Sequence, residues 1–289
     1  MEAGDSADEP RVRLRLDLGY DGTAFSGWAA QPGRRTVEAE LAGALTMLLG
    51  APEPVRLTVA GRTDSGVHAR GQVAHADVST AAYESLPGRS QRPPEQALVT
   101  RLGGVLPPDV VVHRVSRAPG GFDARFSATS RRYRYRIADA YAARDPLRRN
   151  DTVWLAHPLD ADAMTAASAA LLGRHDFAAL CRPREGATTV RTLIEFSWRR
   201  SRGGVVEARV AADAFCHNMV RSLVGAVVPV GQGRLPPDWP SEVLASGRRS
   251  GRVRVMPARG LCLEEVTYPC DELLAERASR ARTRRLERP

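Results

Sequence analysis

From residue 11 the chain alternates strictly, with Val12, Leu14, Leu16 and Leu18 set between Arg11, Arg13, Arg15 and Asp17. A period of two with one apolar face specifies a strand, here with a basic outer face. After Thr36 the period becomes helical: Val37, Leu41, Ala44, Leu45 and Leu48 share a stripe between a capping Thr36 and a terminating Gly50. Alternation returns at Val55, Leu57 and Val59. Beyond a turn bracketed by Gly61 and Gly66, residues 72 to 78 read as the return strand. Residues 83 to 92 are polar and proline-bearing and read as a loop. A helix over 94 to 102 and an apolar strand over 110 to 115 complete the order strand, helix, strand, strand, helix, strand.

The second half repeats that order. Arginines alternate with Tyr133, Tyr135 and Ile137, and a helix follows from about Asp160 to Leu172. Ile194, Phe196 and Trp198 mark one strand and Val206, Ala208 and Val210 another, joined by the turn at 201 to 204. A helix from about His217 carries Val220, Leu223, Val224 and Val227 as its buried stripe, and residues 260 to 266 form the last strand. Pro229 and the stretch 236 to 250 read as a long loop. The fold expected is α+β: two ferredoxin-like (RRM-like) β-α-β-β-α-β units, residues 11–124 and 125–270, related by pseudo-two-fold symmetry. They would form a central, mostly antiparallel sheet with an active-site cleft between the halves. Residues 1–10 read as a disordered acidic tail and 271–289 as a basic tail.

The 289 residues carry a formal charge of +9, which favours a polyanionic partner such as nucleic acid or an anionic membrane. All 42 basic residues are arginine, so Schiff-base lysine chemistry and a Gly-Lys-Ser/Thr phosphate loop are excluded. Cys181, Cys216, Cys262 and Cys270 form no Cys-x-x-Cys pair, and no His-Glu-x-x-His occurs. Neither a metal site nor an organic cofactor is expected. No run of about 20 apolar residues occurs, and a cytoplasmic location is expected with no membrane partner.

The densest chemistry lies in Gly61-Arg62-Thr63-Asp64-Ser65-Gly66-Val67-His68, which sets a carboxylate beside a guanidinium on a glycine-bracketed turn. For an arbitrary Asp in a turn the ordinary reading is a carboxylate that bonds its own backbone. Four chemistry-bearing residues in one loop weigh against that here. The segment GRTDSGVHARGQVAHAD resembles the active-site loop of the TruA-type tRNA pseudouridine synthases. Further similarity lies in the Tyr20-Asp21-Gly22 to Gly27-Trp28 loop, residues 122–137, 172–177, 215–231 and 260–269. Ala29 stands where the family usually has the first glutamine of Gln-x-Gln, and Gly103-Gly104 where many members have asparagine.

The resemblance implies that uridine is isomerised to pseudouridine on the 3′ side of the anticodon stem-loop of tRNA, positions 38 to 40, by a homodimer. It makes Asp64 the catalytic carboxylate and Arg221 its paired arginine, and sets Tyr133 against the target base, where stacking on an extruded base is worth about 1–3 kcal/mol. A neighbouring cation keeps a carboxylate charged, for which Arg62 and Arg221 are the candidates. Arg125, Arg131, Arg132 and Arg134 suit phosphate contacts. His68 and His75 read as structural. Two rival readings are a non-catalytic RNA-binding protein of paired ferredoxin-like units, and an N-glycoside hydrolase using Asp64 with Asp21.

Overall fold

The computed structural model describes residues 9–183 and 188–286. Most of the acidic stretch expected at 1–10 lies outside the described residues. In chain order the elements are β1 (Arg11–Tyr20), α1 (Val37–Leu49), β2 (Thr58–Val59), β3 (His68–Ser79), α2 (Thr80–Ser85), α3 (Pro94–Val105) and β4 (Val110–Arg117). Then come β5 (Ser130–Ala138), β6 (Val153–Trp154), α4 (Ala161–Ala169), β7 (Gly173–Asp176), β8 (Val190–Arg200), β9 (Val206–Ala212), α5 (Met219–Gly231), α6 (Trp239–Ala245), β10 (Leu261–Thr267) and α7 (Leu274–Leu286). The fold is mixed α+β. It divides into two compact units: Asp64–Arg70 joins Thr129–Thr267 in the second, and the other described residues form the first.

In the first unit the strand order is β4-β1-β3, with β2 paired to β3. The alternation of β1 does what its pattern requires: Leu14, Leu16 and Leu18 are fully buried. Helix α1 opens at Thr36, whose side chain accepts from the Ala39 N–H at 3.4 Å, and stops at Gly50 in the left-handed region. Leu48, expected in its stripe, is only half-buried; Leu49 is buried in its place and completes the i, i+4 row Val37, Leu41, Leu45. The loop expected over 83 to 92 begins instead inside α2. Ser79 caps that helix and Tyr83 is fully buried. The basic C-terminal stretch is a helix, with Leu274 and Ala278 buried one turn apart and Arg282 paired to Asp123 at 2.6 Å.

His75 is 6% exposed, and its Nδ1 accepts the Ala124 N–H at 3.0 Å, so the bond requires a neutral ring. Burial, reinforced by the Arg13 charge, holds its pKa below the ordinary histidine value. As pH falls through that ordinary value the unfolded chain takes up a proton that the folded unit resists. Stability present at neutral pH is therefore expected to decline from about pH 7 to pH 5. His75→Asn, which keeps an acceptor near Nδ1 without titrating, is expected to flatten that decline when urea midpoints are compared at the two pH values.

In the second unit the first residues of β3 pair in parallel with β10, and the order continues β10-β5-β9-β8-β7, with β6 on β5. Tyr133, Tyr135 and Ile137 are buried, as their alternation implies. Strand β8 departs from simple alternation. A register shift between Leu193 and Glu195 turns Ile194 outward, 56% exposed, and buries Leu193 with Phe196 and Trp198. Helix α4 is shorter than expected and packs on β8, where Trp198 Nε1 donates to Ser168 Oγ at 2.9 Å. Pro229 stands inside α5 instead of ending it, and α6 occupies part of the expected long loop, with Pro240 in its first turn.

Candidate active site

Asp64 sits on a turn closed by the Val67 N–H donating to Asp64 O at 3.1 Å. Gly66 takes φ +76°, and a Cβ there would lie 3.3 Å from Ala258 Cβ. The conformation asks for glycine, and the space beside it is tight. Downstream, the buried His68 anchors the turn through Nε2, 2.7 Å from Asn150 O, consistent with a structural histidine.

Two residues of the second unit face the Asp64 carboxylate. His217 Nε2 stands 3.5 Å from Oδ1 and Arg221 Nη1 3.8 Å from Oδ2. They converge because Asn218, between them and just before α5, is left-handed at φ 66°, a conformation asparagine tolerates better than most residues. Arg221 is itself tied down, its Nε donating to Met256 O at 2.6 Å. Helix α5 thus begins two residues later than the expected His217. Its Val220, Leu223, Val224 and Val227 are buried as read from the sequence, with half-buried Arg221 on the flank.

Tyr133 is 7% exposed and meets Phe215 edge-on, ring centroids 5.1 Å apart at 88°. Phe215, Cys216 and His217 fall in the family-like stretch 215–231, but the sequence assigned none of them a role at the site. Cys216 is disulfide-bonded to Cys181, with their Cα atoms 5.9 Å apart, and the Arg182 N–H donates to His217 O at 2.9 Å. The 35-residue separation, with no Cys-x-x-Cys spacing, hid that pairing.

The four arginines expected to contact phosphate occupy different environments. Arg131 is buried, with Nη1 on Asp213 O at 2.9 Å, which removes it from any solvent-facing set. Arg134 lies in a cross-strand carboxylate ladder, 3.0 Å from Glu264 and 3.8 Å from Glu207, and is largely buried there. Arg132 pairs with Glu265 at 2.5 Å but keeps an exposed side chain. Arg125 is exposed, its cation 5.2 Å from the Phe126 ring. Arg62 is exposed and groups with the first unit.

In that first unit, Thr63 Oγ1 is hydrogen-bonded to Tyr20 OH at 2.7 Å, Thr63 O accepts the Trp28 N–H, and Gln72 Nε2 donates to Gly61 O at 2.9 Å. Trp28 is buried, and Asp21 Oδ1 accepts from Thr23 N–H and hydroxyl. The Tyr20 to Trp28 loop is therefore a brace for residues 61 to 63, and Asp21 is committed to its own turn.

A carboxylate faced by an imidazole and a guanidinium is the kind of group that acid-base or nucleophilic chemistry uses, and among the described residues no group of three or more His, Cys, Asp or Glu is placed to hold a metal ion. Residues 167–269 match a family model described as tRNA pseudouridine synthase. The chain is 55% identical over 276 residues to tRNA pseudouridine synthase A of Streptomyces avermitilis, covering 95% of this chain and 94% of that one. It is 53% identical over 279 residues to the enzyme of that name from Streptomyces griseus, covering 96% and 95%. With that of Frankia casuarinae the identity is 55% over 275 residues, covering 95% and 96%. The chain belongs to the tRNA pseudouridine synthase A family, a family of isomerases.

Proposed function

We propose that this protein isomerises uridine to pseudouridine on the 3′ side of the tRNA anticodon stem-loop, positions 38 to 40, with Asp64 as the catalytic carboxylate. The C1′–N1 bond breaks, the base turns over, C1′–C5 forms, N1 takes a proton and the C5 hydrogen leaves as a proton. An anionic oxygen beside the nucleoside is the group this exchange needs. Arg221 is its counter-charge, and Arg62 adds positive charge to the same loop. Tyr133 stands against the target base, while Arg125 and Arg132 take the phosphates. No cofactor takes part; the protein works in the cytoplasm as a homodimer.

The observation that carries the reading is Asp64 on a glycine turn with His217 and Arg221 on its two oxygens, in a chain of this family. Strand orders β4-β1-β3-β2 in the first unit and β10-β5-β9-β8 in the second support taking each as ferredoxin-like. Among the described residues no helix is long and apolar enough to cross a membrane.

The test is to incubate purified protein with unmodified tRNA and map the product. Pseudouridine is expected on the 3′ side of the anticodon stem-loop, with no free uracil. Released uracil would favour the hydrolase, and unchanged RNA held in a stable complex would favour the non-catalytic binder. Pseudouridine elsewhere in the tRNA would overturn the proposed position.

A further inference from the structure

Arg221 supplies charge to Asp64 without directing it. Its guanidinium is fixed by the 2.6 Å bond to Met256 O and a 3.4 Å contact with Asn218 Oδ1, and Nη1 stops 3.8 Å from the carboxylate, beyond hydrogen-bonding distance. The last torsion of an aspartate is broad, so one distant cation leaves the plane of the carboxylate free to turn. The opposite oxygen, Oδ1, faces His217 Nε2 at 3.5 Å, the closer of the two though itself longer than a formed N–H···O bond.

The backbone holds that histidine from both sides. His217 O accepts the Arg182 N–H, Cys216 is cross-linked to Cys181, and Cys216 O accepts the Met219 N–H at 3.0 Å. Beyond it Asn218 turns the chain into α5. Both side chains are partly open to solvent, His217 at 39% and Asp64 at 34%.

We propose that His217 is a positioning residue for Asp64, holding Oδ1 so that the carboxylate presents one orientation to the nucleotide. This rests on the reading of Asp64 given above. Contacts of this kind tighten in the substrate complex, and small errors in the placement of a reacting group are costly in rate.

The test compares wild type, His217→Ala, His217→Gln and Asp64→Asn in steady-state pseudouridine formation on tRNA, with melting temperatures confirming equal folding. A glutamine amide places an N–H close to the position of Nε2. His217→Ala is expected to lower kcat about tenfold with KM within about twofold of wild type, and His217→Gln to stay within about threefold of the wild-type kcat. The inference is overturned if His217→Ala keeps the wild-type kcat, if its loss is confined to KM, or if His217→Gln falls as far as alanine. Any of these with an inactive Asp64→Asn removes the role of His217 alone; an active Asp64→Asn removes the reading beneath it as well.

Discussion

Asp64→Asn is expected to bind tRNA within about threefold of wild-type affinity and to turn it over about 10⁴-fold more slowly, a loss of about 5.5 kcal/mol of transition-state stabilisation. The substitution keeps the shape of the side chain and removes its charge. The turn itself is held by backbone, through Val67 N–H on Asp64 O, and by Gly66, so the loop should survive. With the phosphates taken by Arg125 and Arg132, as proposed above, affinity would rest on contacts outside this turn, which should weaken with salt in the same way in both proteins. Filter binding at two salt concentrations, beside product formation, separates the two effects. A variant that lost affinity and rate in equal measure would make Asp64 a binding residue.

Gly225→Ala is expected to cost about 3 kcal/mol or more of stability and to depress activity with it. A Cβ at Gly225 would lie 1.8 Å from Arg254 O and 2.9 Å from Arg254 C, both backbone atoms with no side chain to swing aside. Alanine gains about 1 kcal/mol in helix propensity over glycine, too little to offset that overlap. Helix α5 must therefore shift away from the 254 to 256 segment. The same segment receives Arg221 Nε on Met256 O and returns the Met256 N–H to Arg221 O at 3.2 Å, so the shift disturbs the placement of Arg221 against Asp64. Urea unfolding and kcat measured on one preparation should move together. An unchanged midpoint would mean that the packing of α5 is looser than these distances require.

The alternation of β1 and β5 and the stripes of α1 and α5 were legible because burial on one face imposes a period. Arg131 shows what a residue-type reading overlooks. Counting by twos from Tyr133 places it on the apolar face, where it is buried against Asp213 O. Ile194 failed in the opposite sense, since a bulge breaks the period and composition does not announce it. Helix α6 was hidden by prolines, although Pro240 stands in the first turn, where a missing N–H costs nothing. The approach of Arg221 to Asp64 was legible through family resemblance. The partnership of His217 with Asp64 was not, because it depends on one left-handed asparagine and a cross-link spanning 35 residues.

Uridine isomerisation by the Asp64 carboxylate is tested most directly with tRNA tritiated at uridine C5, incubated with excess wild type and, separately, excess Asp64→Asn. Wild type should pass to water the tritium of each uridine it converts, and the variant should release none while still holding the RNA. Equal release from the two proteins would contradict it.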